Sequence, residues 1–195
     1  MRIGILGGTF DPPHAGHMAL AQAAKEALSL DEVIWIPAFQ NPLKGRKSTP
    51  ARQRLEMVKL AVQGVEGMAV SDSEIQRRGQ SYAIDTVSEL QYLNPAEYWF
   101  IVGADSLKTL PQWKQPERLL RLCRIAAAVR GKADPQDVLK FLPEPLRSGI
   151  DFIPMETVEI SSTAVRELVY RGRPIDRYVS KAVIKYVQEN KLYKI

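Results

Sequence analysis

The chain's two histidines, His14 and His17, both lie in Gly7-Gly8-Thr9-Phe10-Asp11-Pro12-Pro13-His14-Ala15-Gly16-His17. Gly7 and Gly8 let backbone N–H groups come close to a phosphate with no side chain between them. A helix starting just beyond offers unpaired N–H groups and a partial positive charge to the same anion. His14 and His17 can both face that point, and Gly16 between them removes a side chain that would crowd the approach. The chemistry this favours is binding an anion and stabilising charge on it. The plain alternative is a turn whose glycines only bend it and whose histidines only satisfy it. The pairing of both histidines in a Gly-rich segment favours the chemical reading. Zinc would need further His, Cys or carboxylate ligands, and Asp11 alone is close. A dinucleotide fingerprint G-x-G-x-x-G fails because Leu6 stands two positions after Gly4. A P-loop fails because Arg46 stands where its second glycine belongs, directly before Lys47-Ser48.

Such a segment needs a strand before it and a helix after it. Arg2 to Leu6 reads as that strand and Gly16 to Ser29 as that helix. Val33 to Pro37 is a second strand. Thr49 and Pro50 offer a cap and a first-turn proline to a helix reaching about Gln63, whose Arg52, Arg54 and Lys59 are expected to form a solvated face. Met68 to Ser71 is a further strand, and Ser81 is placed to cap a helix carrying Ile84, Val87 and Leu90 on one face. Tyr98 to Val102 and Ile125 to Val129 are continuous apolar runs, as in strands buried on both faces of a parallel sheet. Phe152 to Met155 is a weaker strand, and Val179, Val183, Tyr186 and Val187 form a helical stripe. Strands alternating with helices predict an α/β, Rossmann-like doubly wound parallel sheet with a small C-terminal helical segment. One domain over 1–195 is expected, with 160–195 as its helical C-terminal part. In such a sheet ligands bind at the carboxyl ends of the strands, where the Gly7 to His17 turn falls.

The 195 residues suffice for one sizeable core. Lys and Arg number 27 against 22 Asp and Glu, a net charge of +5 that suits anionic ligands. Cys123 is the single cysteine, so no internal disulfide forms, and it is expected to be a partly buried filler. No apolar run approaches the roughly 18 residues needed to span a membrane, and Ile3 to Leu6 is too short for a signal peptide. A cytoplasmic protein with no membrane partner is expected.

Gly7 to His17 resembles the GGTFDPxHxGH motif of the nucleotidyltransferase superfamily, and of its bacterial nicotinate mononucleotide adenylyltransferases in particular. Ile160-Ser161-Ser162-Thr163-Ala164-Val165-Arg166 resembles the superfamily's second motif, ISSTxVR. The pair is far more specific than either motif alone, and the resemblance runs over essentially the whole chain. It implies adenylyl transfer from ATP to nicotinate mononucleotide, giving deamido-NAD and pyrophosphate. The attacking group is already an anion, so the enzyme's work is to align two polyanions and stabilise developing charge, without a covalent intermediate. By the resemblance, His14 and His17 contact the ATP phosphates, with His17 stabilising the α-phosphate transition state. Gly7, Gly8, Thr9 and Phe10 border the adenylyl group. Ser161, Ser162 and Thr163 offer hydroxyls at a helix start, and Arg166 reaches the β- or γ-phosphate. Standing alone, Ser162-Thr163 would be an ordinary helix cap and Arg166 a solvated residue.

Ser81-Tyr82-Ala83-Ile84-Asp85-Thr86 resembles the family's SYTIDT segment, with Ala83 where Thr is frequent. It implies Tyr82 and Thr86 near the nicotinate ring, with Thr86 bonding its carboxylate. Gly103-Ala104-Asp105-Ser106 followed by Trp113 resembles the GADxxxxxxxW element, which implies Asp105 on a ribose and Trp113 stacked on the pyridine ring. Pro111, Gln112, Lys114 and Gln115 flank Trp113, a polar setting where a packed tryptophan is less expected. Asn41-Pro42-Leu43-Lys44 resembles the NPxK loop, which implies Lys44 on phosphate with Arg46 as helper. Arg130 borders the acceptor phosphate. Magnesium arrives with ATP, and no protein metal ligand is expected.

Relatives with another acceptor fit less well. Phosphopantetheine adenylyltransferases carry Thr in the place of His14, and cytidylyltransferases carry RTxGISTT where Val158-Glu159 precedes Ile160 here. A nucleic-acid-binding module would need a basic stripe interleaved with aromatics, whereas the basic residues are scattered and aromatics make up 8%. No nucleic acid partner is expected, and a homo-oligomer is compatible with the sequence.

Overall fold

The computed structural model describes residues 1–43, 48–130 and 134–194. Its centre is one sheet of six parallel strands in the order β3-β2-β1-β4-β5-β6. These are β1 (Arg2–Gly8), β2 (Glu32–Pro37), β3 (Met68–Val70), β4 (Glu97–Gly103), β5 (Arg124–Arg130) and β6 (Ile150–Met155). The helices are α1 (Ala15–Ala27), α2 (Ala51–Val62), α3 (Ser73–Arg77), α4 (Ala83–Leu93), α5 (Pro116–Leu122), α6 (Pro135–Leu139), α7 (Ser162–Tyr170) and α8 (Lys181–Glu189), with short 3₁₀ turns at Ala104–Gln112 and Glu144–Leu146. The expected Rossmann-like α/β fold is therefore present.

The sheet is buried on both faces, which is why its strands are apolar at successive positions. Ile3, Ile5, Tyr98, Phe100, Val102, Ile125 and Ala127 face one layer with Ile84 and Val87 of α4 and Leu119 of α5. Leu6, Val33, Trp35, Trp99, Ile101, Ala126 and Ala128 face the other, with Ala21 and Ala24 of α1 and Val58 and Val62 of α2. The period of two along each strand sends neighbours to opposite faces. A third cluster joins Met57 of α2 to Val165 of α7 and to Val183 and Val187 of α8. Cys123 is buried more fully than expected, and burial pushes its thiol up to about 12.

The order reverses between β1 and β4, whose register pairs Ile3 with Tyr98 and Ile5 with Phe100. This switch point opens a crevice beyond the carboxyl ends of two adjacent strands. The Gly7 to His17 segment leaves one of them, and Gly103-Ala104-Asp105 leaves the other.

Two helix starts differ from expectation. Pro50, not Thr49, is the N-cap of α2, and the Thr49 N–H turns to the Asp11 carboxylate instead, at 3.3 Å. Tyr82, not Ser81, caps α4, because the Ser81 hydroxyl is taken by the Phe39 N–H at 2.9 Å. Among the described residues, no helix is long and apolar enough to cross a membrane.

Candidate active site

Gly7 and Gly8 end β1, paired with Ile36 and Pro37. Each glycine is required by what packs against it. A Cβ at Gly7 would lie 3.0 Å from the Phe100 ring, and one at Gly8 would lie 2.9 Å from the ring of Phe10. Phe10 is 1% exposed, and its ring belongs to the core beneath the turn. Its φ of +50° lies in the left-handed region, an uncommon state for a bulky side chain that its packing must hold. The ring meets His17 edge-on at 4.9 Å and tilts against Trp35 at 5.3 Å. Gly8→Ala is therefore expected to cost about 1–3 kcal/mol by overpacking, measured by urea unfolding. A neutral substitution would show that the Phe10 ring yields freely.

His14 is the N-cap of α1 and His17 lies in its first turn. The rings stack with centroids 3.7 Å apart. The His14 N–H donates to His17 Nδ1 at 3.2 Å. That hydrogen bond assigns the neutral ring's proton to Nε2, which makes His17 a donor at its far edge. Gly16 is needed here, since a Cβ would come within 3.1 Å of the His14 ring.

The second motif is seated on the first. Ser161 caps α7 by accepting from the Ala164 N–H at 3.1 Å. The Ser162 hydroxyl donates to the Pro12 carbonyl at 2.8 Å. Arg166 donates through Nη1 to the Asp11 carbonyl at 2.6 Å and through Nη2 to the Thr163 hydroxyl at 2.9 Å. Arg166 is thus no solvated residue of a helix face, and its side chain is 14% exposed.

Arg54 corrects the expectation of a solvated basic face on α2. Arg52 and Lys59 are exposed, but Arg54 is 1% exposed. Its guanidinium donates to three carbonyls: Thr49 at 2.8 Å, Thr9 at 2.7 Å and Phe39 at 3.1 Å. Burial lowers its pKa from the ordinary value, and the Asp11 charge pulls in the opposite direction. The residue was detectable in the sequence, since Arg54 shares a helical stripe with buried Val58 and Val62.

The residues expected on the acceptor side lie on α4 and on the 3₁₀ segment that follows β4. Tyr82 starts α4, and Trp113 follows the 3₁₀ turn that leaves β4. Lys114 joins them: its ammonium sits 4.6 Å from the Tyr82 ring and bonds the Asp85 carboxylate at 2.9 Å. Trp113 is packed, contrary to the polar setting of its neighbours. It meets Phe100 edge-on at 5.6 Å and donates to the Thr109 hydroxyl at 3.2 Å. Thr86 is 1% exposed, and its hydroxyl donates to Glu74 at 2.6 Å while accepting from Arg77 at 2.7 Å. Asp105 is exposed beside Lys108, and Gly103 ends β4. Backbone ties hold the two halves together, with the Ser81 N–H donating to the Gln40 carbonyl at 2.9 Å. The expectations for Lys44 and Arg46, and for the side chain of Arg130, lie outside the described residues. Among the described residues, no group of three or more His, Cys, Asp or Glu side chains is gathered to hold a metal ion.

The cytidylyltransferase-like family model matches residues 5–168. A probable nicotinate-nucleotide adenylyltransferase of Dehalococcoides mccartyi is 40% identical, over 99% of this chain and 97% of its own. This chain belongs to the nicotinate-nucleotide adenylyltransferase family. Another probable member, from Gemmatimonas aurantiaca, is 41% identical over 100% of this chain and 93% of its own. The fold of the family is shared at greater distance by the Plasmodium falciparum nicotinic acid mononucleotide adenylyltransferase complexed with NaAD. That structure has a TM-score of 0.77 and 20% identity, covering 98% of this chain and 97% of that one. As a family member the chain is a nucleotidyltransferase, and the two motifs that meet at Asp11 and Pro12 are those by which the sequence resembles that family.

Proposed function

We propose that this chain transfers the adenylyl group of ATP to nicotinate mononucleotide, forming deamido-NAD and releasing pyrophosphate. The observation that carries the reading is the docking of Ser162 and Arg166 on the Pro12 and Asp11 carbonyls, which gathers both anion-type motifs beside the switch point. The names of relatives about 40% identical over nearly the full length support the acceptor. An oxygen of the acceptor phosphate attacks the α-phosphorus in line, and the bond to the β-phosphate bridging oxygen breaks. The nucleophile is already ionised, so no general base is needed. His17 Nε2–H and the amides at the start of α1 stabilise the charge that builds on the α-phosphoryl oxygens. His14, Lys44, Ser161, Thr163 and Arg166 hold the remaining phosphates.

Tyr82, Gly103, Asp105, Trp113 and Arg130 form the acceptor side. Asp105 is exposed enough to take a ribose hydroxyl. A bond from Thr86 to the nicotinate carboxylate requires its hydroxyl to turn away from Glu74, so recognition rests first on Tyr82 and Trp113. The site residues supply no carboxylate cage, because Asp11 already accepts from Tyr193 and Thr49. Magnesium would enter with ATP, and when bound it would neutralise charge on the leaving pyrophosphate.

The test is pyrophosphate release with ATP and magnesium, offering nicotinate mononucleotide, nicotinamide mononucleotide and phosphopantetheine in parallel. Turnover with the first far above the others is expected, and preference for another acceptor would overturn the acceptor assignment. Trp113→Ala is expected to raise the acceptor KM by about 5- to 150-fold, the equivalent of ~1–3 kcal/mol of stacking. The ATP KM should stay unchanged, and Trp113→Phe should recover most of the loss. A defect in the ATP KM alone would contradict the stacking role.

A further inference from the structure

Asp11 is held from parts of the chain that the motifs do not include. Its carboxylate, 5% exposed, receives the Tyr193 hydroxyl on Oδ1 at 2.8 Å, a bond between residues 182 positions apart. The other oxygen accepts the Thr49 N–H at 3.3 Å and lies 3.9 Å from Arg166 Nη1. A buried carboxylate left short of donors is costly, so each of these contacts restricts where Asp11 can sit. Asp11 is followed directly by Pro12 and Pro13, and then by His14.

The Tyr193 ring packs in the cluster formed by Met57, Val165, Val183 and Val187. An apolar ring alone would fill that space. The hydroxyl, 3.7 Å from Met57 Sδ at the edge of this layer, donates at 2.8 Å to the carboxylate of the first motif. Burial, followed by the Asp11 charge, pushes the phenol above its ordinary pKa, so it remains a donor.

We infer that Tyr193 is a positioning residue for the reaction: through Asp11 it fixes the backbone from which His14 and His17 face the phosphates. The inference rests on the proposed role of those histidines as phosphate donors. It assigns this role to the hydroxyl itself, as the polar tie from the C-terminal layer to Asp11, and not to the packing of that layer.

Tyr193→Phe tests it, with Val187→Ala as the comparison, since Val187 is a core residue of the same cluster with no polar contact to the site. The chain has two histidines, both in the first motif, so a long-range proton–nitrogen NMR spectrum shows only their two imidazoles. Tyr193→Phe is expected to displace those resonances. It should also lower kcat about tenfold, with the acceptor KM within about twofold of the parent. Val187→Ala is expected to lower Tm at least as far while leaving the resonances and kcat in place. Unmoved imidazoles in Tyr193→Phe, or equal displacement in both variants, would overturn the inference. If the parent protein releases no pyrophosphate with nicotinate mononucleotide, the proposed reaction fails, and the imidazole spectra still decide the positioning role.

Discussion

His17→Ala is expected to lower kcat by about 10²- to 10³-fold, equivalent to ~2.7–4 kcal/mol of transition-state stabilisation, with substrate KM values little changed. The size follows from how firmly the ring is placed. Its Nδ1 is occupied by the His14 N–H, it stacks on His14 at 3.7 Å, and Phe10 supports it edge-on at 4.9 Å. A donor fixed in this way needs no reorganisation when charge develops on the α-phosphate, which is the condition under which one hydrogen bond is worth several kcal/mol. The substitution also removes the acceptor for the His14 N–H at the start of α1, for which about 0.5–2 kcal/mol of stability should be lost. Single-turnover kinetics and urea unfolding on the same variant separate the two effects. Turnover within about threefold of the parent would remove His17 from the role of α-phosphate donor.

The pairing of the two motifs was legible in the sequence, because their residue types and spacing are unusual and each sits at a strand-to-helix or loop-to-helix junction. The doubly wound sheet was legible from its continuous apolar strands. What escaped was the direction in which polar side chains point when their partners are distant in sequence. The charge of Arg54 favours water, although its helical position places it above Val58 and Val62. Three carbonyls from separate loops satisfy it, and no local pattern encodes their convergence. The polar neighbours of Trp113 do not show its contact with Phe100, which lies on a strand thirteen residues earlier. Nothing in the segment around Thr86 shows that Glu74 and Arg77 of α3 bond its hydroxyl. Nothing in the sequence around Tyr193 shows that its hydroxyl reaches Asp11, 182 positions away.

Arg54→Ala is expected to destabilise the protein by about 3–5 kcal/mol, the range for removing one partner from a buried charged cluster. The carbonyls of Thr9, Phe39 and Thr49 would each lose a donor, and Asp11 would lose a nearby positive charge. The more telling variant is Arg54→Lys. An ammonium carries the same charge, but it lacks the planar fork that serves three separate directions, and its shorter reach leaves at least one carbonyl unpaired. About 1–3 kcal/mol is expected from that loss in urea unfolding. Thr9 belongs to the first motif, and Phe39 and Thr49 flank the segment carrying Lys44. The Lys variant should therefore raise the ATP KM more than the acceptor KM even at temperatures where it is fully folded. If charge alone sufficed, Arg54→Lys would match the parent in both stability and ATP affinity, and the fork geometry would have no part in holding the loops. A stability loss without any change in ATP KM would confine Arg54 to the core, because the three carbonyls it grips would then be free to shift without disturbing the site they border.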